Sequence, residues 1–325
     1  MTGPKILGRS QMKPLSMRFA GLVAAMLVTS GGSQAQEIGE RLLEARESLY
    51  NNIYVYKNSN LISLTFGYNR RIYTESMYNT LDDFDLPVVY TRFMTAGLVY
   101  PKKIERILEI GFGGGRTSWY LHRFLSSVPI TSVELDPVVL ELARKYFRIR
   151  DEENFSVVAS DGRTFLKNSN ERYDVILVDA YRGPFVPFHL LTKEFYALVK
   201  EHLSEGGVLV QNIEPSTMLF DSAVLTINSI FPQIDFFVAD GNVVTVAYDR
   251  SSPQQDELQK AAVERQQRFK FRYNLADMLL QRRQANLAGD NGPIDKRQGK
   301  ILTDDFAPVE TLKAIEQHNR KWPDP

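Results

Sequence analysis

From Arg106 onward the chain alternates short apolar runs with amphipathic ones, and that alternation leaves few folds open. RILEIGF ends in glycines and precedes the helical TSWYLHRFLSS. ITSVELD precedes PVVLELARKYF, whose Pro137 suits a first helical turn. FSVVASD, RTFLKNS, YDVILVDAY, HLLTKEFYALVKEHL and GGVLVQNI continue the series. A helix is expected over residues 221–231, and 234–248 reads as a final pair of strands. YDVILVDAY is the most hydrophobic of the strands, as a central strand covered on both faces should be. Parallel strands need crossover helices, so the series predicts a doubly wound, mostly parallel α/β sheet.

The flanks differ in texture. Residues 37–50 read as a helix. From Tyr54, YVYK, LISLTF and RRIYTES are short β-branched and aromatic runs separated by Asn- and Gly-containing turns, which predicts a small antiparallel β unit over residues 52–80. VVYTRFMTAGLV, residues 88–99, suits a helix leading into the alternating region. Residues 253–285 form a Gln/Arg-rich helical segment, and its arginines read as a solvated face rather than a nucleic-acid stripe. The tail 286–325 is rich in Gly and Asp and carries ILTDDFAPVE, then an amphipathic stretch to Trp322. The expected division is 1–36, 37–85 (helix and β unit), 86–250 (nucleoside-binding domain) and 251–325 (helical extension).

Residues 1–36 have the order of a secretory signal. Lys5, Arg9, Lys13 and Arg18 make a basic start without acids, FAGLVAAMLV is an apolar run, and TSGGSQAQ offers small residues. Ser33 and Ala35 precede a cleavage point ahead of Gln36. The apolar run is short for a permanent span, so an exported protein, periplasmic or secreted, with no stable membrane span after cleavage is expected.

Charge and composition exclude several classes. Lys+Arg and Asp+Glu both number 39, so no broad electrostatic footprint for nucleic acid is expected. With no cysteine there are no disulfides, thiolate metal sites or cysteine nucleophile. His122, His189, His202 and His318 show no metal-ligand spacing, and no metal is expected.

Four strand ends carry the chemistry. EIGFGGGRT places Gly111, Gly113, Gly114 and Gly115 where a ligand can approach the backbone closely. Alone, that turn fits a nicotinamide site, a methyltransferase-type site or a plain tight turn. Glu134, at the end of VELDP's strand, stands about 20 residues on, the distance at which an acid accepts from ribose hydroxyls. Asp136 reads as the cap of the next helix. Asp161-Gly162 ends the third strand, where a carboxylate can take an adenine amino group. That third acid separates a sulfonium-nucleoside site from a dinucleotide site. Asp179, at the tip of the central strand, can hold an attacking amine and take its proton. His189, in the following loop, has no partner visible in the sequence.

Through IGFGGG, VELDP, SDGRTFL, YDVILVDAY and LLTKEFYALVKEHLSEGGVLV, residues 106–213 resemble the catalytic domain of the spermidine synthase (aminopropyltransferase) family. Residues 52–80 resemble its small N-terminal β domain. The chain is similar in particular to bacterial spermidine synthase-like proteins, some fused to transporter domains. These share a GGG turn without an acid and the LTDDFAPVE motif, here at 302–310. The resemblance implies a Rossmann-like fold of the class I S-adenosylmethionine-dependent transferase type. It implies decarboxylated S-adenosylmethionine, or S-adenosylmethionine, as co-substrate and an amine such as putrescine as acceptor. Asp179 would be catalytic, with Gly111, Gly113, Gly114, Gly115, Glu134, Asp161 and Gly162 around the cofactor and Glu75, Tyr78 and Tyr181 on the substrate side. A homodimer or homotetramer built through the β unit is implied as well.

The chain departs from that family at two acids. Gly114 stands where the family's turn has an aspartate that helps hold the aminopropyl amine, and Arg182 stands where it has a second strand-four aspartate. Asp304 and Asp305 would restore negative charge if the tail folds over the crevice. Two other functions stay open at this level. One is a methyltransferase in which Arg116 suits a cofactor that keeps its carboxylate; the other is a non-catalytic exported polyamine- or nucleoside-binding protein.

Overall fold

A computed structural model describes residues 40–68, 71–215, 217, 219–239, 241–284 and 299–305. The expected export signal lies outside the described residues, as does the amphipathic stretch to Trp322. An antiparallel meander comes first: β1 (Arg41–Glu47), β2 (Asn52–Asn58), β3 (Leu61–Tyr68) and β4 (Arg71–Asn79). β1 replaces the helix expected over 37–50, of which 37–39 lie outside the described residues. ERLLEARE is made of good helix formers, but tertiary pairing overrides local propensity. Ala45 and Arg46 pair with Tyr54 and Ile53 of β2. The charges serve an edge strand instead of a helix face. Glu44 accepts from Lys145 Nζ at 2.6 Å and Tyr146 Oη at 2.7 Å, which docks β1 on the main domain.

β4 contains a bulge. Leu64 faces Ser76 and Thr65 faces Thr74, so Glu75 is an extra residue without a partner on β3. Bulges of this kind turn a side chain out of the alternating pattern.

α1 (Val89–Met94) leads into a 3-10 turn, Thr95–Val99. A Cβ on Gly97 would stand 2.2 Å from Val210, so glycine lets this turn lie flat on the sheet. The alternating region then runs β5 (Ile107–Ile110), α2 (Arg116–Phe124), β6 (Ile130–Glu134), α3 (Pro137–Tyr146), β7 (Phe155–Ala159), α4 (Gly162–Lys167), β8 (Tyr173–Val178), α5 (Lys193–Glu201), β9 (Leu203–Ile213), α6 (Phe220–Asn228), β10 (Gln233–Ala239) and β11 (Asn242–Tyr248). The 8-stranded sheet has the order β12-β10-β11-β9-β8-β5-β6-β7, with β12 at Arg283–Gln284. From β9 to β7 it is parallel, and β10, β11 and β12 add an antiparallel edge. β8 is buried along its whole length, as its sequence predicts.

α2 and α3 cover one face of the sheet through Trp119, Tyr120, Val139 and Leu142, and α4, α5 and α6 cover the other through Leu166, Phe195, Val199 and Ile227. Each such side chain contributes about 1.5–3 kcal/mol by leaving water. The helical segment expected over 253–285 is broken. α7 (Gln255–Phe269) ends at Lys270 in the left-handed conformation, and α8 (Leu275–Leu279) follows. Phe271, buried between them, packs on Tyr120 and Phe124, and that burial outweighs continuing the helix.

The chain leaves β5 toward β6 on one side and returns through β8 on the other. β5 and β8 therefore flank the topological switch point, where open α/β sheets bind ligands.

Candidate active site

A cavity of about 580 Å³ opens at that switch point, beyond the carboxyl ends of β5, β6 and β8 and beneath β4. Its floor is the glycine turn. Gly111 has φ +90°, and a Cβ there would sit 2.3 Å from the Asp179 carbonyl oxygen. Asp179 in turn donates its backbone N–H to Ile110 O at 2.9 Å. Only glycine lets the ends of β5 and β8 meet so closely. Gly111 and Gly113 line the cavity; Gly114 and Gly115 do not. At Gly115, which starts α2 at φ +69°, a Cβ would meet the Phe112 ring at 2.1 Å. At Gly114 it would lie 2.7 Å from the Phe147 ring and 2.8 Å from Ser76 Cβ. The turn position expected to hold an aspartate in relatives is thus closed by packing here. Gly162 lines the cavity and lets α4 approach Ile110, where a Cβ would be 2.3 Å away.

Glu134 is held by the turn it was expected to work with. Its Oε2 accepts from the amides of Phe112 and Gly113 at 3.1 and 3.0 Å, and Oε1 from the Asp136 amide at 3.0 Å. Three of a carboxylate's roughly four acceptor positions are taken, so one ribose hydroxyl fits directly and a second would have to displace a turn amide. Asp136 caps α3 through Val138 N, as its sequence position indicates.

Asp161 also lines the cavity but is already engaged. Oδ1 caps α4 through the Thr164 amide at 2.8 Å, and Oδ2 meets His189 Nε2 at 2.7 Å. The His189 hydrogen bond holds its carboxyl well below the usual range. The partner that the sequence did not reveal for His189 is therefore Asp161.

Asp179 faces the cavity with both oxygens fixed. Asn212 Nδ2 donates to Oδ1 at 3.0 Å and Tyr90 Oη to Oδ2 at 3.1 Å. Asn242 Nδ2 donates to Asn212 Oδ1 at 3.1 Å, which sets the amide's orientation. Burial pushes the Asp179 carboxyl up to about 6, with the two hydrogen bonds opposing it. It is ionised at neutral pH yet more basic than a free aspartate, which suits proton acceptance. Tyr181 lines the same wall, donating to Asn212 O and accepting from Glu214 N, each at 3.1 Å.

Glu75, turned inward by the bulge, lines the cavity; its Oε1 is buried without a hydrogen-bond partner. Burial pushes its carboxyl well up, and Asp179, Glu134 and Glu214 push it further. Tyr78 does not join it. It does not line the cavity, is 1% exposed, and sits 4.5 Å from the Arg116 guanidinium and 6.3 Å from Phe147. The expected substrate-side role of Tyr78 is therefore corrected to a packing role.

Two further expectations change. Arg116 is turned inward: Nη1 donates to Phe147 O at 3.0 Å, and Nη2 donates to the Asp83 backbone carbonyl. Those two nitrogens are committed, while the residue also lines the cavity and its Nε is buried without a partner. The tail does not bring Asp304 to the cavity either. Leu302, 1% exposed, anchors it against Thr226 and Lys193, and Asp304 forms a bidentate pair with Arg163 at 2.7 and 2.5 Å. Asp305 is exposed. Arg182 stands exposed at the cavity's edge.

Sequence reasoning missed Tyr90, Asn212 and Glu109. Asn212 and Glu109 had a signal, a polar residue inside an otherwise apolar strand; Tyr90 had none beyond its helix. Glu109, 2% exposed in β5, accepts from Ser132 Oγ at 2.9 Å, and burial pushes its carboxyl up to about 8.

Comparison with known proteins agrees with this geometry. Residues 89–246 match the spermine/spermidine synthase domain. The polyamine aminopropyltransferase of Vibrio vulnificus is 31% identical over 313 residues, covering 93% of this chain and 99% of that protein. The spermidine synthase from Thermotoga maritima shares the fold at a TM-score of 0.59 and 22% identity, covering 74% of this chain and 84% of that one. A spermidine synthase in complex with the transition state analogue AdoDATO gives a TM-score of 0.58 at 22% identity, over 74% of this chain and 83% of that one. The near full-length match, together with the glycine turn and the strand-end carboxylates, establishes that this chain belongs to the spermine/spermidine synthase family of polyamine aminopropyltransferases.

Proposed function

We propose that the cavity transfers the aminopropyl group of decarboxylated S-adenosylmethionine to an amine such as putrescine, a step of polyamine biosynthesis. The observation that carries this is Asp179: a carboxylate fixed by Tyr90 and Asn212, raised to about 6, and backed directly onto the glycine turn. The sulfonium supplies an activated methylene carbon. The amine nitrogen's lone pair forms the new C–N bond, the C–S bond breaks with its electrons going to sulfur, and methylthioadenosine leaves. Asp179 takes the proton lost by nitrogen. The protein's work is orientation and that proton transfer. Gly111 and Gly113 give the nucleoside backbone access, Glu134 offers its open acceptor position to ribose, and Asp161, through His189, shapes the far wall.

The test uses purified full chain with decarboxylated S-adenosylmethionine and putrescine. Equimolar methylthioadenosine and spermidine are expected. Methyl transfer from S-adenosylmethionine, or polyamine binding without turnover, overturns the proposal.

We also propose that residues 1–36 direct export, supported by their basic, apolar and small-residue order. A mature N-terminus at Gln36 in a non-cytoplasmic fraction is expected; a full-length cytoplasmic chain refutes it. Self-association as a homodimer or homotetramer through the β1–β4 sheet is proposed as well, supported by the exposed apolar Leu42 and Ile72 on its edge strands. Light scattering tests it, and a monomeric mass refutes it.

A further inference from the structure

We infer that Glu75 is the carboxylate that receives the ammonium of the aminopropyl arm, a specificity-determining position on β4 that does the work an acid in the glycine turn would otherwise do. The inference rests on the aminopropyl-transfer reading and deepens it.

Three observations carry it. First, Glu75 is the bulge residue of β4, so its side chain leaves the sheet's alternation and enters the cavity. Second, the neighbouring Ser76 accepts from the Gly114 amide at 3.0 Å, so the strand segment bearing Glu75 lies against the very turn that lacks an acid. Gly114 itself has no room for a side chain beside Phe147. Third, the Glu75 carboxyl is poorly satisfied by the protein's own groups. Its Oε1 is buried without a partner, its carboxyl accepts from the Gly183 backbone, and the carboxylates around it are Asp179, Glu134 and Glu214. Among the described residues no lysine or arginine pairs with it, and the nearby phenols of Tyr90 and Tyr181 are themselves committed to Asp179 and Asn212.

A buried carboxyl among three others costs stability unless a cation joins it. Burial and the neighbouring carboxylates push Glu75 upward, and a cation beside it would act in the opposite direction. A primary ammonium has the charge and the three donors to satisfy Glu75 and its neighbours together. A neutral nucleoside does not. The arrangement therefore selects for a ligand whose arm ends in an ammonium, independently of the nucleoside.

The experiment compares two nucleosides that differ only in the arm: 5′-methylthioadenosine, which has none, and S-adenosyl-3-thiopropylamine, whose sulfur is neutral and whose arm ends in an ammonium. Binding of each to the full chain is measured by calorimetry for wild type, Glu75→Gln and Glu75→Asp. Gln is isosteric with the protonated carboxyl, and a thermal melt confirms that the variant is folded. Wild type is expected to bind the ammonium-bearing ligand about tenfold or more tightly than the other, the scale of a charge-assisted hydrogen bond. Glu75→Gln is expected to lose that preference while binding methylthioadenosine within about twofold of wild type, and Glu75→Asp to recover part of it. A preference unchanged in Glu75→Gln, with wild type binding both ligands, overturns this inference alone. Failure of wild type to bind methylthioadenosine overturns the nucleoside-site reading and this inference with it.

Discussion

Glu109→Gln tests how far the fold tolerates acids beneath its ligand site. Glu109 lies in the central strand β5, 2% exposed, with Ser132 Oγ on Oε2 at 2.9 Å. Burial raises its carboxyl from 4.5 to about 8. The folded state then holds a proton that the unfolded chain has released throughout that interval. Its contribution to stability is fully present below the unfolded value and declines as pH rises to the folded one, flattening beyond it. At about 1.4 kcal/mol per unit, the whole interval is worth on the order of 5 kcal/mol. Glutamine keeps the shape and an acceptor for Ser132 but cannot ionise. The variant should match wild type within about 1 kcal/mol at pH 5 and exceed it by several kcal/mol at pH 9. Urea unfolding at the two pH values measures this through the midpoint at constant slope. Asp179 and Glu134 repel the ionised Glu109 and add to its shift, so the variant's advantage at high pH includes the loss of that repulsion. Parallel pH profiles for the two proteins would refute the reasoning.

Other perturbations test the packing around the site. Gly114→Asp puts an acid in the turn but drives a Cβ to 2.7 Å from Phe147 and 2.8 Å from Ser76 Cβ, so a loss of about 1–3 kcal/mol is expected in thermal unfolding. A Gly114→Asp variant as stable as wild type would show that the turn has room after all. Asp235, 1% exposed, accepts from Tyr100 Oη at 2.8 Å, Tyr248 Oη at 3.0 Å and Arg282 Nε at 2.8 Å. Asp235→Ala strands the Arg282 guanidinium and should cost about 3–5 kcal/mol by urea unfolding, whereas a loss below about 1 kcal/mol would mean the guanidinium reaches water.

The legible part of this protein was its periodicity. Apolar runs of strand length, punctuated by glycine and by Asp136 and Asp161 at helix starts, are local signals. They located the parallel sheet and put Gly111, Glu134, Asp161 and Asp179 on one edge of it. What the sequence hid was settled by contacts distant along the chain. Residues 41–47 have helix-forming composition, yet β2 and the Lys145–Tyr146 corner of α3 hold them as a strand. Tyr78 and Glu75 stand three residues apart on one strand, yet Tyr78 packs in the core and Glu75 lines the cavity, a difference set by what each meets in the closed fold. Arg116 looked free beside the glycines but gives Nη1 to Phe147 O and Nη2 to Asp83. Tyr90 and Asn212, which fix the central carboxylate, come from helix α1 and strand β9, and only the closed fold brings them together.

Asp179→Asn, measured in aminopropyl transfer from decarboxylated S-adenosylmethionine to putrescine, tests the central claim most directly. Asparagine keeps the shape at the tip of β8 but cannot take the amine's proton. The account predicts a fall in kcat of about 100-fold or more with the fold intact. It also predicts a wild-type kcat/KM that rises with pH through about 6, where Asp179 loses its proton, and an Asp179→Asn profile without that limb. Near-wild-type turnover by Asp179→Asn, or an unchanged acid limb, would contradict the assignment of Asp179 as the base.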